Sequence, residues 1–401
     1  MSTSLQPLSG TKRDTSLDLL RGFAITGVLF MFCVSDIGTA PGYINSLADE
    51  IIAWLKYILV EGRMYTMLIL IFGIGFHVQL KKAQLQGASI LQPFLRRLAG
   101  LLLIGFIHAI LLSRRDILMF YALTGLALLP IRNLTHRQLL FVILFVFILL
   151  VTPVLDLFLS NPWSRTLSLV QPNNYRDHVR YNWEFFKIYH FVYPVYIDML
   201  FHFLLGFWIG RSGLLKKIKT NTRFRRTLLF STLAGTAVLI PLFYFIIPEL
   251  LPGIMSKVRY PWQRFTVATV NRIIYQLWML TSVTLYVTIL ISLSLKSKDR
   301  RWHRSLAAYG QMALSNYLLQ TLILVPYLLV FDKYNDIPPF NGLVIFLVVL
   351  ILQLVFSTWW MSRYTLGPFE WLLRSITYWK WQPLKKSIPV SSEAFSIHFD
   401  R

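Results

Sequence analysis

Few residues in this chain have the chemistry to act on a substrate, and several of them are spaced to work together. Asp18 and Arg21 stand three residues apart in LDLLRG, so on a helix they share a face. There they can pair, while the guanidinium offers planar, bidentate donors to a carboxylate or phosphate. His108 is followed by the tight polar joint Ser113, Arg114, Arg115 and Asp116. An imidazole near a carboxylate and two guanidiniums can form a general base with an anion clamp; the plainer alternative is an interfacial histidine with snorkelling arginines. Asp198 and His202 lie four apart, a spacing at which a carboxylate orients an imidazole or both join a proton relay. Arg272 with Gln276, Asn316 with Gln320, and Gln353 are polar groups in apolar surroundings. Their usual work is hydrogen bonding between helices, worth about 0.6 to 2 kcal/mol each.

The elements that must hold these groups are apolar helices. Only 14% of the 401 residues are charged, against about a quarter in a soluble domain. Mean hydropathy is +0.55, and the apolar residues fall in blocks long enough to cross about 30 Å of hydrocarbon. Long apolar runs without alternating ten-residue strands predict an all-α polytopic transmembrane bundle, because a spanning chain must satisfy its backbone internally. The blocks predict about ten helices, near 17–35, 60–80, 94–113, 117–131, 138–160, 190–211, 226–248, 266–295, 305–330 and 341–364. The 117–131 block is short for a crossing, and 51–60 either extends the second helix or lies at the interface. The whole chain, 1–401, reads as one integral membrane domain.

Lysines and arginines crowd alternate joints, among them Lys81 to Arg97, Arg211 to Arg226, Lys296 to Arg304 and the tail. That asymmetry predicts both termini in the cytoplasm, with 1–16 a cytoplasmic segment and 157–189 an extracytoplasmic loop able to form a small lid. Residues 367–401 predict an interfacial helix and cytoplasmic tail, with Glu370 and Arg374 paired at i, i+4 and Trp371, Trp379 and Trp381 at the interface. The +22 net charge thus points to the bilayer and its anionic headgroups as partners, not to nucleic acid. Cys33 is the single cysteine, so neither an intramolecular disulfide nor a cysteine metal cluster can form. No phosphate-binding loop, dinucleotide fingerprint, nucleophile elbow or His-Glu-x-x-His is present, and no bound cofactor or metal is implied.

Three segments together carry a family likeness: Leu17 to Gly27 (LDLLRGFAITG), Arg96 to Pro130 (RRLAGLLLIGFIHAILLSRRDILMFYALTGLALLP) and Tyr309 to Arg374, with YGQMALSNYLLQT and LGPFEWLLR. They resemble the YeiB-like family of bacterial membrane proteins, the domain of unknown function numbered 418. The resemblance implies a multi-pass protein of the bacterial cell membrane. Its first-helix signature is similar to that of membrane acyltransferases. By that likeness Asp18 and Arg21 would shape the opening for a donor such as acyl-CoA, and His108, supported by Asp116, would deprotonate an acceptor hydroxyl or amine. Phe32 occupies the position, eleven residues after Arg21, where many relatives carry Asn, so no catalytic role falls there. A transporter of a small anionic or amphipathic solute is the alternative; it predicts Asp198, His202 and Arg272 around a midplane cavity. A non-catalytic envelope component would need only the bundle and its loops.

Overall fold

A computed structural model describes residues 15–35, 46–154, 172, 174–189, 193–246, 261–296, 300–330 and 337–386. All named elements among them are helices. The first half holds α1 (Thr15–Ser35), α2 (Leu47–Leu55), α3 (Arg63–Leu85), α4 (Leu91–Leu111), α5 (Leu118–Leu126), α6 (Leu128–Ile131) and α7 (His136–Val151). Then come α8 (Tyr175–Tyr189), α9 (Tyr193–Ser212), α10 (Leu214–Thr220) and α11 (Thr222–Pro241). The last are α12 (Pro261–Lys296), α13 (Arg301–Gln311), α14 (Ala313–Val330), α15 (Pro339–Arg363) and α16 (Pro368–Tyr378). Short polar joints supply the caps that apolar helices lack. Ser46 accepts from the Asp49 amide at the start of α2, and Thr135 with Gln138 closes a capping box on α7. Asn221 accepts from the Phe224 amide on α11. Each satisfies amides that the helix cannot bond itself.

Among the described residues five helical segments are long and apolar enough to cross a membrane: Thr15–Val34, Leu47–Leu85, Leu91–Leu111, Phe265–Lys296 and Pro339–Arg363. A sixth arises if the bent pair α13–α14 counts as one. The single span expected over 305–330 is instead two helices meeting at 82°. The break has a packing cause. At Gly310 a Cβ would collide with the Asp18 carbonyl oxygen and the Gly22 amide of α1, so α13 lies backbone to backbone on α1 and the chain must turn at Met312 to continue. The 117–131 block is likewise two short helices, α5 and α6, and the 51–60 stretch is the end of α2 plus one π turn before Gly62 redirects the chain at φ 78°.

α1 is the central element, packed against α3, α13, α14 and α15, while α3 lies along α9. Phe76, Phe94, Phe120, Phe203 and Phe207 fill the space between α3, α4, α5 and α9. Outward faces are apolar as well: Ile351, Leu352 and Val355 of α15 and Phe141 and Phe145 of α7 are all more than half exposed.

A buried relay between two cavities

The 113–117 turn that joins α4 to α5 folds back under α4, and this brings Asp116 to His108. Gly105, one turn before His108, makes the return possible, since a Cβ there would lie 2.7 Å from Asp116 Oδ1 and 2.8 Å from the Met119 amide nitrogen. Asp116 Oδ1 accepts from the Met119 N–H at 3.0 Å and so caps α5. Its other oxygen, Oδ2, is 2.7 Å from His108 Nδ1 and accepts from the Tyr317 hydroxyl at 3.4 Å. Tyr317 in turn accepts from the Ile117 N–H at 3.4 Å, and its ring lies 5.0 Å from the imidazole. On the far side of the ring His108 Nε2 is 2.9 Å from Thr321 Oγ1. All four side chains are buried. With the Nδ1 proton given to Asp116, Nε2 presents its lone pair to the Thr321 hydroxyl, in the order carboxylate, imidazole, hydroxyl.

The relay stands between two cavities. The larger, about 390 Å³, opens at the end of the bundle where the basic joints attach, among the first half of α1, the second half of α3, the start of α14 and α16. Arg21 and Arg97 project into it, Phe72 and Leu101 line its flank, and Ile117 and Tyr317 stand at its inner end. Arg21 pairs with buried Asp18 at 3.0 Å. The Arg97 guanidinium lies 5.5 Å from the Phe72 ring, and its Nε has no hydrogen-bond partner among the described residues. Glu370 also reaches this cavity. The expected Glu370–Arg374 pair is not what α16 builds. Glu370 Oε1 accepts from the Leu314 and Ser315 amides at 2.6 and 3.1 Å, and Oε2 bonds the Ser315 hydroxyl at 2.5 Å. The reason is the break at Met312, which leaves the first amides of α14 needing an acceptor inside the protein. Burial raises the Glu370 carboxyl above its usual range, against the pull of those donors.

The second cavity, about 50 Å³, lies at the opposite end, between the close of α1, the 112–114 turn, α8 and the second half of α14. Space of that size holds about four water-sized groups. Its polar lining is Ser113, Arg114, His178, Asn182 and Thr321, and Phe32 closes one side. Of the segment 157–189, residues 157–171 and 173 lie outside the described residues, but α8 covers this cavity. The last carbonyls of α4 have no helical partner, and α8 satisfies them. Asn182 donates to the Ile110 carbonyl, Tyr175 to Leu111, and His178 Nε2 bonds that of Leu112, at 3.1, 3.3 and 3.1 Å. Burial, opposed by the Leu112 hydrogen bond and reinforced by Arg114, holds His178 down to about 4. Arg114, expected as part of an anion clamp, lines this cavity. Its guanidinium sits over the Tyr181 and Phe185 rings of α8, at 5.1 and 5.7 Å, and Arg115 occupies the half-buried position before Asp116.

The other polar groups serve helix contacts. His202 Nδ1 is 2.8 Å from the Asp198 carbonyl and 3.5 Å from its carboxylate, so the backbone makes the shorter contact and the side chain an ion pair beside it. Gln276 of α12 donates to Asp198 Oδ1 at 3.0 Å, and Arg272 to the Thr152 carbonyl at 3.1 Å. None of these residues lines either cavity. Asn316 donates to the Tyr309 carbonyl and Ser357, and Gln353 donates to the Asn316 carbonyl, tying α13, α14 and α15 together. The Gln320 amide is buried with no partner among the described residues. Among those residues no group of three His, Cys, Asp or Glu is placed to hold a metal ion. Thr321, Tyr317, Arg97 and His178 were not legible as site residues. The one available signal was that Tyr317 and Thr321 sit four apart in YGQMALSNYLLQT.

The described residues thus form an all-α bundle of apolar helices, with a buried carboxylate–imidazole–hydroxyl relay between a basic cavity and a smaller polar one. Residues 209–380 match the family described as Protein of unknown function (DUF418), and nearly the whole chain is similar to uncharacterised bacterial proteins, YeiB among them. It is 29% identical to the uncharacterized protein YxaH of Bacillus subtilis (strain 168), over 97% of this chain and all of that one. It is 26% identical to an uncharacterized 39.9 kDa protein in the amylase 3' region of Bacillus acidopullulyticus, over 93% and 96% of the two chains. Identity to the uncharacterized protein YeiB of Escherichia coli (strain K12) is 24%, over 91% and 96%. No solved structure matches the chain.

Proposed function

We propose that this chain is a multi-pass acyltransferase of the bacterial cell membrane, taking an acyl group from a cytoplasmic donor such as acyl-CoA to a hydroxyl or amine on the opposite face. The single observation that carries the reading is the His108–Asp116 pair, 2.7 Å apart and buried between a cavity on the basic side and one on the other. The long apolar helices and their exposed apolar faces suit hydrocarbon, and the crowded basic joints suit a cytoplasmic face against anionic headgroups. Both termini then lie in the cytoplasm.

In the larger cavity two guanidiniums, Arg21 and Arg97, face a space with apolar walls. That combination fits a donor with an anionic head and a thin acylated arm. His108 is the general base, oriented through Nδ1 by Asp116. Transport through Asp198, His202 and Arg272 has less support, since none of them lines either cavity described above.

The test is the protein purified in detergent, with acyl-CoA binding followed by thermal shift and transfer followed by free thiol release. Wild-type protein should show a saturable stabilisation, weakened in Arg21→Ala and Arg97→Gln. His108→Gln should keep that binding and lose about 10²- to 10⁴-fold in transfer, the usual contribution of a positioned base. A well-folded sample that no acyl-CoA stabilises would end the reading.

A further inference from the structure

The two cavities share no lining residue. With Tyr317 in place a donor in one and an acceptor in the other are kept apart, and a group in the partition is placed to carry the acyl between them. The partition consists of the His108 imidazole with Tyr317 on its inner side and Thr321 on its outer side. Resting on the acyltransferase reading, we propose that Thr321 is a catalytic nucleophile that carries the acyl group as an ester, so that transfer runs in two chemical steps.

Three observations converge on this hydroxyl. Thr321 Oγ1 is 2.9 Å from His108 Nε2, whose other nitrogen is 2.7 Å from Asp116; a weak hydroxyl nucleophile needs such a base, itself held by a third group. Thr321 lines the outer cavity and His108 does not, so an ester on Thr321 is presented to an acceptor there. The hydroxyl proton also has two acceptors at 2.9 Å, His108 Nε2 and the Leu318 carbonyl. A threonine that merely decorates a helix needs only the carbonyl. Here the proton can pass to the imidazole without any heavy atom moving. Tyr317, which ends the inner cavity, is one turn back on α14, about 6 Å along the axis. The donor's carbonyl reaches Thr321 when the Tyr317 ring swings aside.

The chemistry balances. In the first step Thr321 Oγ attacks the thioester carbonyl carbon and its proton goes to His108 Nε2. The C–S bond breaks, and the departing sulfur takes that proton to leave as free thiol, with an ester on Thr321. In the second step His108 Nε2 takes a proton from the acceptor hydroxyl or amine, which attacks the ester carbonyl. The C–Oγ bond breaks and Thr321 recovers its proton from the imidazolium. No redox partner is required.

The experiment incubates the full chain in detergent with acyl-labelled acetyl-CoA or palmitoyl-CoA and no acceptor. Covalent label is counted and mapped by mass spectrometry, with thermal shift by the same acyl-CoA run in parallel. The expected result is label approaching one per chain on Thr321, with matching thiol release. Thr321→Ser should keep the label, Thr321→Val should lose it while still binding, and His108→Gln should slow labelling at least 100-fold. Binding without label in the wild type overturns Thr321 as carrier and leaves the acyltransferase reading standing, as does label on His108 or Tyr317. Label persisting in Thr321→Val has the same force. Neither binding nor label from either acyl-CoA overturns both.

Discussion

Acid should loosen α8 from the end of α4, and His178 sets the range. In the docked helix His178 is held down to about 4, by burial first and by Arg114 as well, whereas a free histidine titrates near 6.5. Between those values the undocked helix carries a proton on His178 and the docked one does not. The undocked state binds more protons there, so docking is fully stable above pH 6.5 and weakens as pH falls toward 4. A difference of about 2.5 units at 1.36 kcal/mol each amounts to about 3.4 kcal/mol, of which about 3 kcal/mol, roughly a 150-fold change in the docking equilibrium, is lost by pH 4. The contact to be lost is concrete: His178, Asn182 and Tyr175 hold the carbonyls of Leu112, Ile110 and Leu111. Hydrogen exchange of the peptide spanning Tyr175–Tyr189, corrected for intrinsic rate, reads it directly between pH 7 and pH 4. Protection should fall by up to two orders of magnitude. In His178→Gln, which keeps a side-chain N–H for the Leu112 carbonyl but cannot titrate, it should stay level. Equal protection at pH 7 and pH 4.5 in the wild type, or the same fall in His178→Gln, would refute the reasoning.

Two further expectations follow from the packing. Asp198→Asn should leave acyl transfer within about twofold of wild type, because Asp198 touches Gln276 and the cavities do not include it; a proton-coupled solute uptake abolished by that change would instead favour transport. Gly310→Ala should destabilise the bundle by about 1 to 3 kcal/mol, the usual cost of overpacking, because its Cβ falls on the Asp18 carbonyl and α1 and α13 must separate. Thermal denaturation in detergent checks this, and an unchanged midpoint would mean the two helices are not in backbone contact.

The readable parts of the site were those made within one stretch of chain. Asp18 and Arg21 pair as a helix face requires, and His108 meets Asp116 only eight residues on, across a turn whose polar residues marked it. Where a group had a choice of partners, spacing alone misled. Glu370 sits four residues from Arg374, yet it turns to α14, because a helix start in an apolar interior needs an acceptor more than a surface arginine needs a pair. Arg114, expected in an anion clamp beside His108, lies over the rings of α8, and nothing in the sequence around it announces Tyr181 and Phe185. Asp198 and His202 have the right spacing, but the ring nitrogen is nearer the helix carbonyl than the carboxylate. Hydropathy likewise counted 305–330 as one span, since a bend at Met312 between apolar segments leaves no trace in an average.

The sequence by itself determined that the chain is helical and apolar, which joints are basic, and that few polar groups stand within the apolar blocks, because periodicity, length and charge are local properties. Tertiary structure alone decided which of those groups form a site. Thr321 is 213 positions from His108, and their meeting depends on α13 turning at Gly310 and Met312 so that α14 comes down beside α4. The two cavities, the Arg97 Nε left without a partner among the described residues and the cover made by α8 depend on the same long-range packing. Contacts between helices distant in the chain are set by side-chain shape and by the backbone groups each helix end leaves unsatisfied, and neither has a period that a single sequence displays.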